Sequence, residues 1–386
     1  MTVTGPKGFR AAGVAAGIKQ SGALDLTLVV NDGPRFDAAG VFTRNVIKAA
    51  PVLWSQEVLR HKKLRAVVLN SGGANAATGP LGFQDTHATA EKVGEVLDAG
   101  AVEVAVCSTG LIGERLPMDA VLTGIDVAVK SLDTSAEAGL AAATAVMTTD
   151  SKPKQAFAEH DDGWSIGGFA KGAGMLAPNL ATMLSVITTD AVVDPDVLDK
   201  ALRAATRVTF DRLDVDGGTS TNDTVLVLAS GASGVTPSEA EFTELLTKVS
   251  LDIVLQLRAD SEGATKHVDI VVKGAASEDD AIQVGRTVAE DNLVKTALFG
   301  SDPNWGRIAM ALGRAPARID PGTLSIAING VTLFSGGTTA ADRSAADLSG
   351  VPIEIVIDLG VGDAQATIFT TDLSHGYVEE NSAYSS

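Results

Sequence analysis

Apolar residues along the chain fall into short β-branched runs and longer amphipathic stretches. Runs bounded by Gly, Asp or Asn predict strands over 24–30, 65–70, 102–107, 183–188, 224–229, 267–272, 324–328 and 353–357. Helical spacing predicts helices over 86–98, 120–131, 136–147, 195–206, 238–258, 279–295 and 304–312. Asp194 before Pro195 is a helix-start signal, a capping carboxylate ahead of a first-turn proline. Behind it, Val197, Leu198, Leu202, Ala205 and Val208 are spaced as one buried stripe. Strands and helices mix throughout, which predicts an α/β protein. No repeat and no low-complexity linker interrupts the pattern; polar breaks occur at 148–154 and 160–163.

Composition narrows the class. The chain has 386 residues, 45% hydrophobic and 20% charged, enough apolar side chain for a core. With 40 glycines and 4% aromatics, that core must come from Ala, Val, Leu and Ile joined by tight turns. Thirty Lys and Arg against 48 Asp and Glu leave a formal charge of −18. An acidic surface argues against a nucleic-acid or anionic-membrane partner, because phosphate binding needs cations. No run approaches the ~20 apolar residues of a membrane helix. The first 19 residues have no continuous apolar stretch after their charges, so a secretory signal is not expected and a cytoplasmic protein is.

Common site motifs are missing. There is no G-x-x-x-x-G-K-[ST] loop and no G-x-S-x-G elbow. Gly360-Val361-Gly362 follows the strand over 353–357, but Gln365 stands at the third glycine position and more strand follows, so it is no dinucleotide loop. His61, His87, His160, His267 and His375 are scattered, and with one cysteine no metal site is predicted. That cysteine, Cys107, ends a predicted strand; such a residue is more often a small buried hydrophobe than a nucleophile.

The informative segment is Lys171-Gly172-Ala173-Gly174-Met175-Leu176-Ala177-Pro178-Asn179-Leu180-Ala181-Thr182-Met183-Leu184. By local pattern alone it is a glycine-rich loop entering a strand, with Thr182 an ordinary β-branched strand residue. It closely resembles, however, the self-cleavage site of the ornithine acetyltransferases, the glutamate N-acetyltransferases of arginine biosynthesis. Further stretches match that family in order: Asn70-Ser71-Gly72-Gly73-Ala74-Asn75-Ala76, Ser108-Thr109-Gly110-Leu111-Ile112-Gly113, Thr148-Thr149-Asp150, Asp216-Gly217-Gly218-Thr219-Ser220-Thr221-Asn222-Asp223, Asp260-Ser261-Glu262-Gly263-Ala264-Thr265-Lys266, Asp302-Pro303-Asn304-Trp305-Gly306-Arg307 and Tyr377-Val378-Glu379-Glu380-Asn381-Ser382-Ala383-Tyr384. The chain departs at Gly218, where the family often has Asp, and at Ser386, where Thr is also common.

The resemblance implies the family's own α/β fold, layered mixed sheets with helices outside, and a precursor that cuts itself between Ala181 and Thr182, giving an N-terminal segment 1–181 and a C-terminal segment 182–386 that stay packed together. The chemistry is coherent. A threonine hydroxyl is a weak nucleophile until a base takes its proton. Cleavage gives Thr182 a free α-amine, and such amines have a pKa of ~7.7–8.0, so one residue supplies nucleophile and base. Pro178, with its fixed φ, and the extended geometry it imposes on Ala177 would hold the approach to the scissile bond.

By the same resemblance, Thr109 and Gly110 are the oxyanion-hole pair. Thr148, Lys171, Thr182, Glu262, Asn381 and Ser386 are substrate-binding. Lys171 then takes the α-carboxylate shared by the substrates N2-acetylornithine and glutamate, Glu262 meets an ammonium or amine, and Asn381 and Ser386 close the site. No metal or organic cofactor is implied; in some members acetyl-CoA serves as a second acetyl donor. The family suggests two copies of each segment. The rival expectations are a self-processing aminopeptidase or amidohydrolase of related architecture, and an uncut metabolite-binding protein. Read as local sequence, Asn222 and Asp223 form a turn into the strand that follows, and Arg307, at a helix start, is a candidate anion-binding residue.

Overall fold

The computed structural model describes residues 2–176 and 183–383. Ala181, Thr182 and Ser386 therefore lie outside the described residues. Packing divides the chain into two units, one of Met1–Asp211 and Thr219–Asp260, the other of Arg212–Gly218 and Ser261–Ser385.

Unit 1 holds β1 (Phe9–Val14), β2 (Leu26–Asn31), β3 (Asp37–Phe42), α1 (Ala50–Val58), β4 (Ala66–Ser71), α2 (Gly79–Leu97), β5 (Val104–Thr109), α3 (Met118–Lys130), α4 (Ala136–Ala145), β6 (Lys154–Glu159), β7 (Ser165–Lys171), β8 (Leu184–Thr189), α5 (Pro195–Val208), β9 (Thr224–Ala229) and α6 (Glu239–Ala259). A four-stranded sheet runs β1-β2-β4-β5 and a five-stranded sheet runs β3-β9-β8-β7-β6. Among the described residues of this unit, only β4–β5 and β8–β9 pair in parallel; the other strand pairs are antiparallel. Strands β2, β4, β5, β7, β8 and β9 are buried on both faces. That burial explains their near-continuous apolar runs. One apolar cluster draws on both sheets, from Phe9, Leu28, Val67 and Val106 to Phe169, Val186 and Leu226. Helices α1 to α4 pack on the four-stranded sheet, and α5 and α6 pack on the five-stranded one.

The expected cleavage point lies between β7 and β8, inside unit 1. These strands are antiparallel neighbours, paired from Ile166–Thr189 to Lys171–Leu184. Strand β3, before the cleavage point, likewise pairs with β9, after it. Two segments parted at 181–182 would share one sheet and one core.

Unit 2 holds β10 (His267–Ala275), α7 (Glu278–Ala289), α8 (Asn292–Phe299), α9 (Trp305–Leu312), β11 (Ser325–Ile328), β12 (Val331–Ser335), β13 (Thr338–Thr339), β14 (Pro352–Asp358), β15 (Ala364–Thr371) and α10 (His375–Ala383). Its six strands run β13-β12-β11-β14-β10-β15. Alternation along β10 and β14 puts Val268, Ile270, Val272, Ile353, Ile355 and Ile357 in a core with Val284, Val288 and Leu298 of the helices. The Gly360-Val361-Gly362 sequence is the turn between β14 and β15, as its surroundings predict.

Several elements differ from expectation. The stripe on α5 is Leu198, Ala201, Leu202 and Ala205; Val197 is half-buried and Val208 is 44% exposed. The single helix predicted over 279–295 is two, because the Asp291 carboxylate accepts the N–H groups of Leu293 and Val294 and starts α8 afresh. Strands β1 and β7 escaped prediction: FRAAGV and SIGGFAK are rich in Ala and Gly and become strands by burial, not propensity. Among the described residues no helix is long and apolar enough to cross a membrane.

Candidate active site

Strand β5 ends at Thr109, and the chain turns at Gly110 with φ +129°. A Cβ there would lie 2.5 Å from Gly73 N, so only glycine fits without movement. The turn is clasped from the loop after β4: Gly73 N–H donates to Thr109 O at 3.0 Å and Ala74 N–H to Leu111 O at 2.8 Å. The side chain of Thr109 is buried.

Lys171, at the end of β7, is 2% exposed and brings this turn together with Thr148. Its Nζ donates to Thr148 Oγ1 at 2.8 Å and to Thr109 Oγ1 at 3.3 Å. Accepting from the ammonium leaves the Thr109 hydroxyl proton free to point at another oxygen. A buried ammonium needs an anion, and Asp150 supplies it, with Oδ2 at 3.8 Å from Lys171 Nζ. Asp150 is the hub of a buried network. It accepts the N–H of Gly172 at 2.6 Å and of Thr148 at 3.0 Å, and pairs with Lys154 at 2.5 Å. Lys154, fully buried, also pairs with Asp260 at 2.5 Å. Burial alone pushes the Asp150 carboxyl up, but Lys171, Lys154 and the Gly172 N–H outweigh it and hold it down at about 2. Thr148 is steadied from its other side as well, because Lys19 Nζ donates to Met147 O at 2.7 Å. Lys19 itself sits on a loop whose four N–H groups, from Ala16 to Lys19, all donate to the Asp25 carboxylate.

The residues on either side of 177–182 are both anchored to one loop. Leu176 forms a bridge with Thr219, and Met183 N–H donates to Asp223 Oδ1 at 3.0 Å. That loop is more than the turn expected of Asn222 and Asp223. Both side chains are buried, and Asn222 Nδ2 donates to Ala74 O at 2.7 Å and Ser108 O at 2.8 Å. Cys107 is buried in β5 and its thiol is pushed up to about 12 by burial, so it carries no thiolate at neutral pH.

Unit 2 brings together the other two described residues. Asn381, on α10, donates from Nδ2 to Glu262 Oε2 at 2.8 Å. Helix α10 lies close over Gly263, where a Cβ would be 2.1 Å from Tyr377 N; Gly263 has φ +59°. Ser374 Oγ donates to Gly263 O at 2.5 Å. The segment from 375 is thus a docked helix that sets Asn381 against a largely buried Glu262. Burial, with Asp216 and Glu262 nearby, pushes the Tyr377 phenol up to about 12. Arg307 is used structurally, donating from Nη1 to Leu293 O at 2.7 Å. At the surface, His160, Asp162 and Glu241 come within ligand distance of one another. Glu241 there already closes the capping box of α6, and His160 stacks on Trp164.

Of the residues singled out from sequence, Thr109, Gly110, Thr148 and Lys171 converge in unit 1, and Glu262 and Asn381 pair in unit 2. Sequence reasoning missed the roles of Asp150, Lys154, Asp260, Asn222 and Asp223. For all but Lys154 the signal available was their place in the matched stretches, where a buried polar residue looks no different from a loop residue.

Fold and site define a layered mixed-sheet α/β protein whose strand-end threonine, positive-φ glycine and buried ammonium meet at one turn. The chain belongs to the ArgJ family, which it matches over residues 10–386. It is 60% identical over 389 residues to an arginine biosynthesis bifunctional protein ArgJ of Mycolicibacterium paratuberculosis, covering 100% of this chain and 96% of that protein. It is 58% identical to the protein of that name in Streptomyces coelicolor, with both chains covered in full. A crystal structure of ornithine acetyltransferase complexed with ornithine, from Mycobacterium tuberculosis, is 61% identical and covers 47% of this chain and 96% of that one, at a TM-score of 0.46.

Proposed function

We propose that the protein is an acyltransferase of arginine biosynthesis that moves the acetyl group of N2-acetylornithine to glutamate through an acetyl-Thr182 intermediate. The observation that carries the reading is the convergence of Thr109, Gly110, Thr148 and Lys171 in a chain of the ArgJ family. The precursor cuts itself when the Thr182 hydroxyl attacks the carbonyl of Ala181 and water opens the resulting ester. The new α-amine of Thr182 then takes the hydroxyl proton as the hydroxyl attacks the acetyl carbonyl. Thr109 O–H and the Gly110 N–H receive the developing oxyanion, where losing one donor costs about 10²–10³ in rate. Ornithine leaves, and the amine of glutamate takes the acetyl group from the ester.

Lys171, with Thr148, takes the α-carboxylate that both substrates carry. Glu262, Asn381 and Ser386 bind the substrates as well, Glu262 through an ammonium or amine. As drawn, the reaction needs no metal or organic cofactor, because Thr182 supplies both nucleophile and base. Acetyl-CoA as an additional donor and a pairing of two copies of each segment complete the proposal.

The test is intact mass of freshly purified protein, followed by the transfer assay. Two species, one starting at Thr182, and ornithine release that depends on glutamate are expected. Thr182→Ala should leave one uncut, inactive chain. A cleaved Thr182→Ala chain, or a wild-type chain uncut after days at neutral pH, would refute the mechanism.

A further inference from the structure

For a nucleophile at position 182 to meet the donors at 109 and 110, two parts of unit 1 must be held in register. The donors sit at the end of β5 in the four-stranded sheet, and residue 183 leads into β8 of the five-stranded sheet. The two strands belong to different sheets, so no ladder of backbone hydrogen bonds sets their separation.

The dipeptide before β9 spans that gap. Asn222 Nδ2 donates to Ser108 O, one residue before Thr109, and to Ala74 O, one residue after the Gly73 that clasps the turn. Its Oδ1 accepts from Thr221 Oγ1 at 2.5 Å, which fixes the amide's orientation. Asp223 Oδ1 accepts the N–H of Met183, and that nitrogen is bonded to the carbonyl carbon of residue 182. Asn222 is 5% and Asp223 0% exposed. The adjoining backbone adds a further tie, Thr224 N–H to Met183 O at 3.1 Å.

We infer that Asn222 and Asp223 are positioning residues that together set the distance between the nucleophile at 182 and the Thr109–Gly110 donors. The inference rests on the acyl-transfer reading and assigns neither residue a contact with substrate. The state of Asp223 suits the role. Burial raises its carboxyl well above the usual range, against the pull of the Met183 N–H, Ser220, Lys171 and Thr43. Burial thus favours the protonated form, and among the described residues its Oδ2 has no hydrogen-bond partner. What holds Met183 is one acceptor oxygen kept in a fixed place. Asn is close to Asp in shape and keeps the same acceptor.

The test compares the wild-type full chain with Asn222→Ala, Asp223→Ala and Asp223→Asn. Self-cleavage is followed by intact mass over time, kcat and KM for N2-acetylornithine are measured per mature chain, and folding is followed by thermal melt. Displacement of reacting groups by ~1 Å costs about 10²-fold. Both alanine variants should slow self-cleavage and lower kcat by about that factor while KM stays near wild type. Asp223→Asn should recover most of the loss in both reactions and keep the wild-type pH profile of kcat. Asp223→Asn as impaired as Asp223→Ala would show that an ionisable carboxyl is required and overturn the inference, as would wild-type kcat in both alanine variants. If the alanine variants do not fold, Asp223→Asn still decides, through its kcat and pH profile. A wild-type chain that neither cuts nor transfers refutes the acyl-transfer reading itself, whatever the variants do.

Discussion

Asp150→Asn removes a carboxylate shared by two buried lysines. The variant leaves Lys154 its contact with Asp260 and Lys171 its two threonine hydroxyls, but takes the charge from between them. The Asp150 side chain is fully buried, so solvent cannot replace it. Breaking a buried pair by removing one partner costs about 3–5 kcal/mol. The depression of its carboxyl from 3.8 to about 2 corresponds to about 2 kcal/mol at 1.36 kcal/mol per unit. The second figure is smaller because it counts only the ionisation of Asp150, not the lysines left behind; the first is the better guide to the variant. With an unfolding entropy of about 2.1 cal/mol/K per residue over 386 residues, each kcal/mol moves the melt by roughly 1.2 °C, hence a drop of about 4–6 °C.

The assay is a thermal melt of both proteins from pH 7 to pH 2. A carboxyl depressed on folding stabilises above its unfolded pKa of ~3.9, and that contribution fades as pH falls towards its folded value. The gap between the two melts should hold at pH 7 and narrow below pH ~4 as the ionisation part, about 2 kcal/mol, is lost, the remainder persisting to pH 2. A melt for Asp150→Asn within about 1 °C of wild type at pH 7 would refute the buried network.

Gly110→Ala forces a side chain onto a φ of +129° and against Gly73 N. It should cost roughly 1–3 kcal/mol and lower kcat by about 10²–10³-fold, measured by melt and transfer assay; wild-type kcat would sink the tight turn as an oxyanion donor. Lys295, buried in unit 2 with Nζ donating to Thr371 O, is lowered to about 8 by burial against the opposing pull of Asp214, Asp216 and Asp372. The unfolded chain holds that proton up to ~10.4, so this group adds stability as pH rises from about 8. Lys295→Met should lose that rise, and parallel melting curves for the two proteins between pH 8 and 10 would refute it.

Much of the fold was legible from residue pattern. The strand over 224–229 is β9 residue for residue, and Asp194 caps α5 through the N–H of Asp196 as its position before Pro195 implied. Elements went unread where side chains are small or where capping cuts a continuous pattern. Nothing local distinguishes β7, with two glycines, from a loop, and nothing in the apolar spacing of 279–295 marks the break at Asp291. Val208 fits the α5 stripe by spacing alone, but it lies at the helix end, where the stripe turns to solvent.

The sequence by itself determined the chemistry on offer. The ordered motifs around Thr182, Thr109–Gly110, Lys171 and Glu262 specify residue types, and those types limit what reaction can be run. Tertiary structure decided which of them meet and in what state. Lys171 and Asp150 are 21 positions apart and Thr109 is further still, yet one ammonium touches them all. Asn222 and Asp223 read as turn formers until burial makes both of them braces, one to the turn after β5 and the other to Met183. Hydrogen-bond partners and dielectric surroundings come from residues distant in sequence, so no local pattern encodes them.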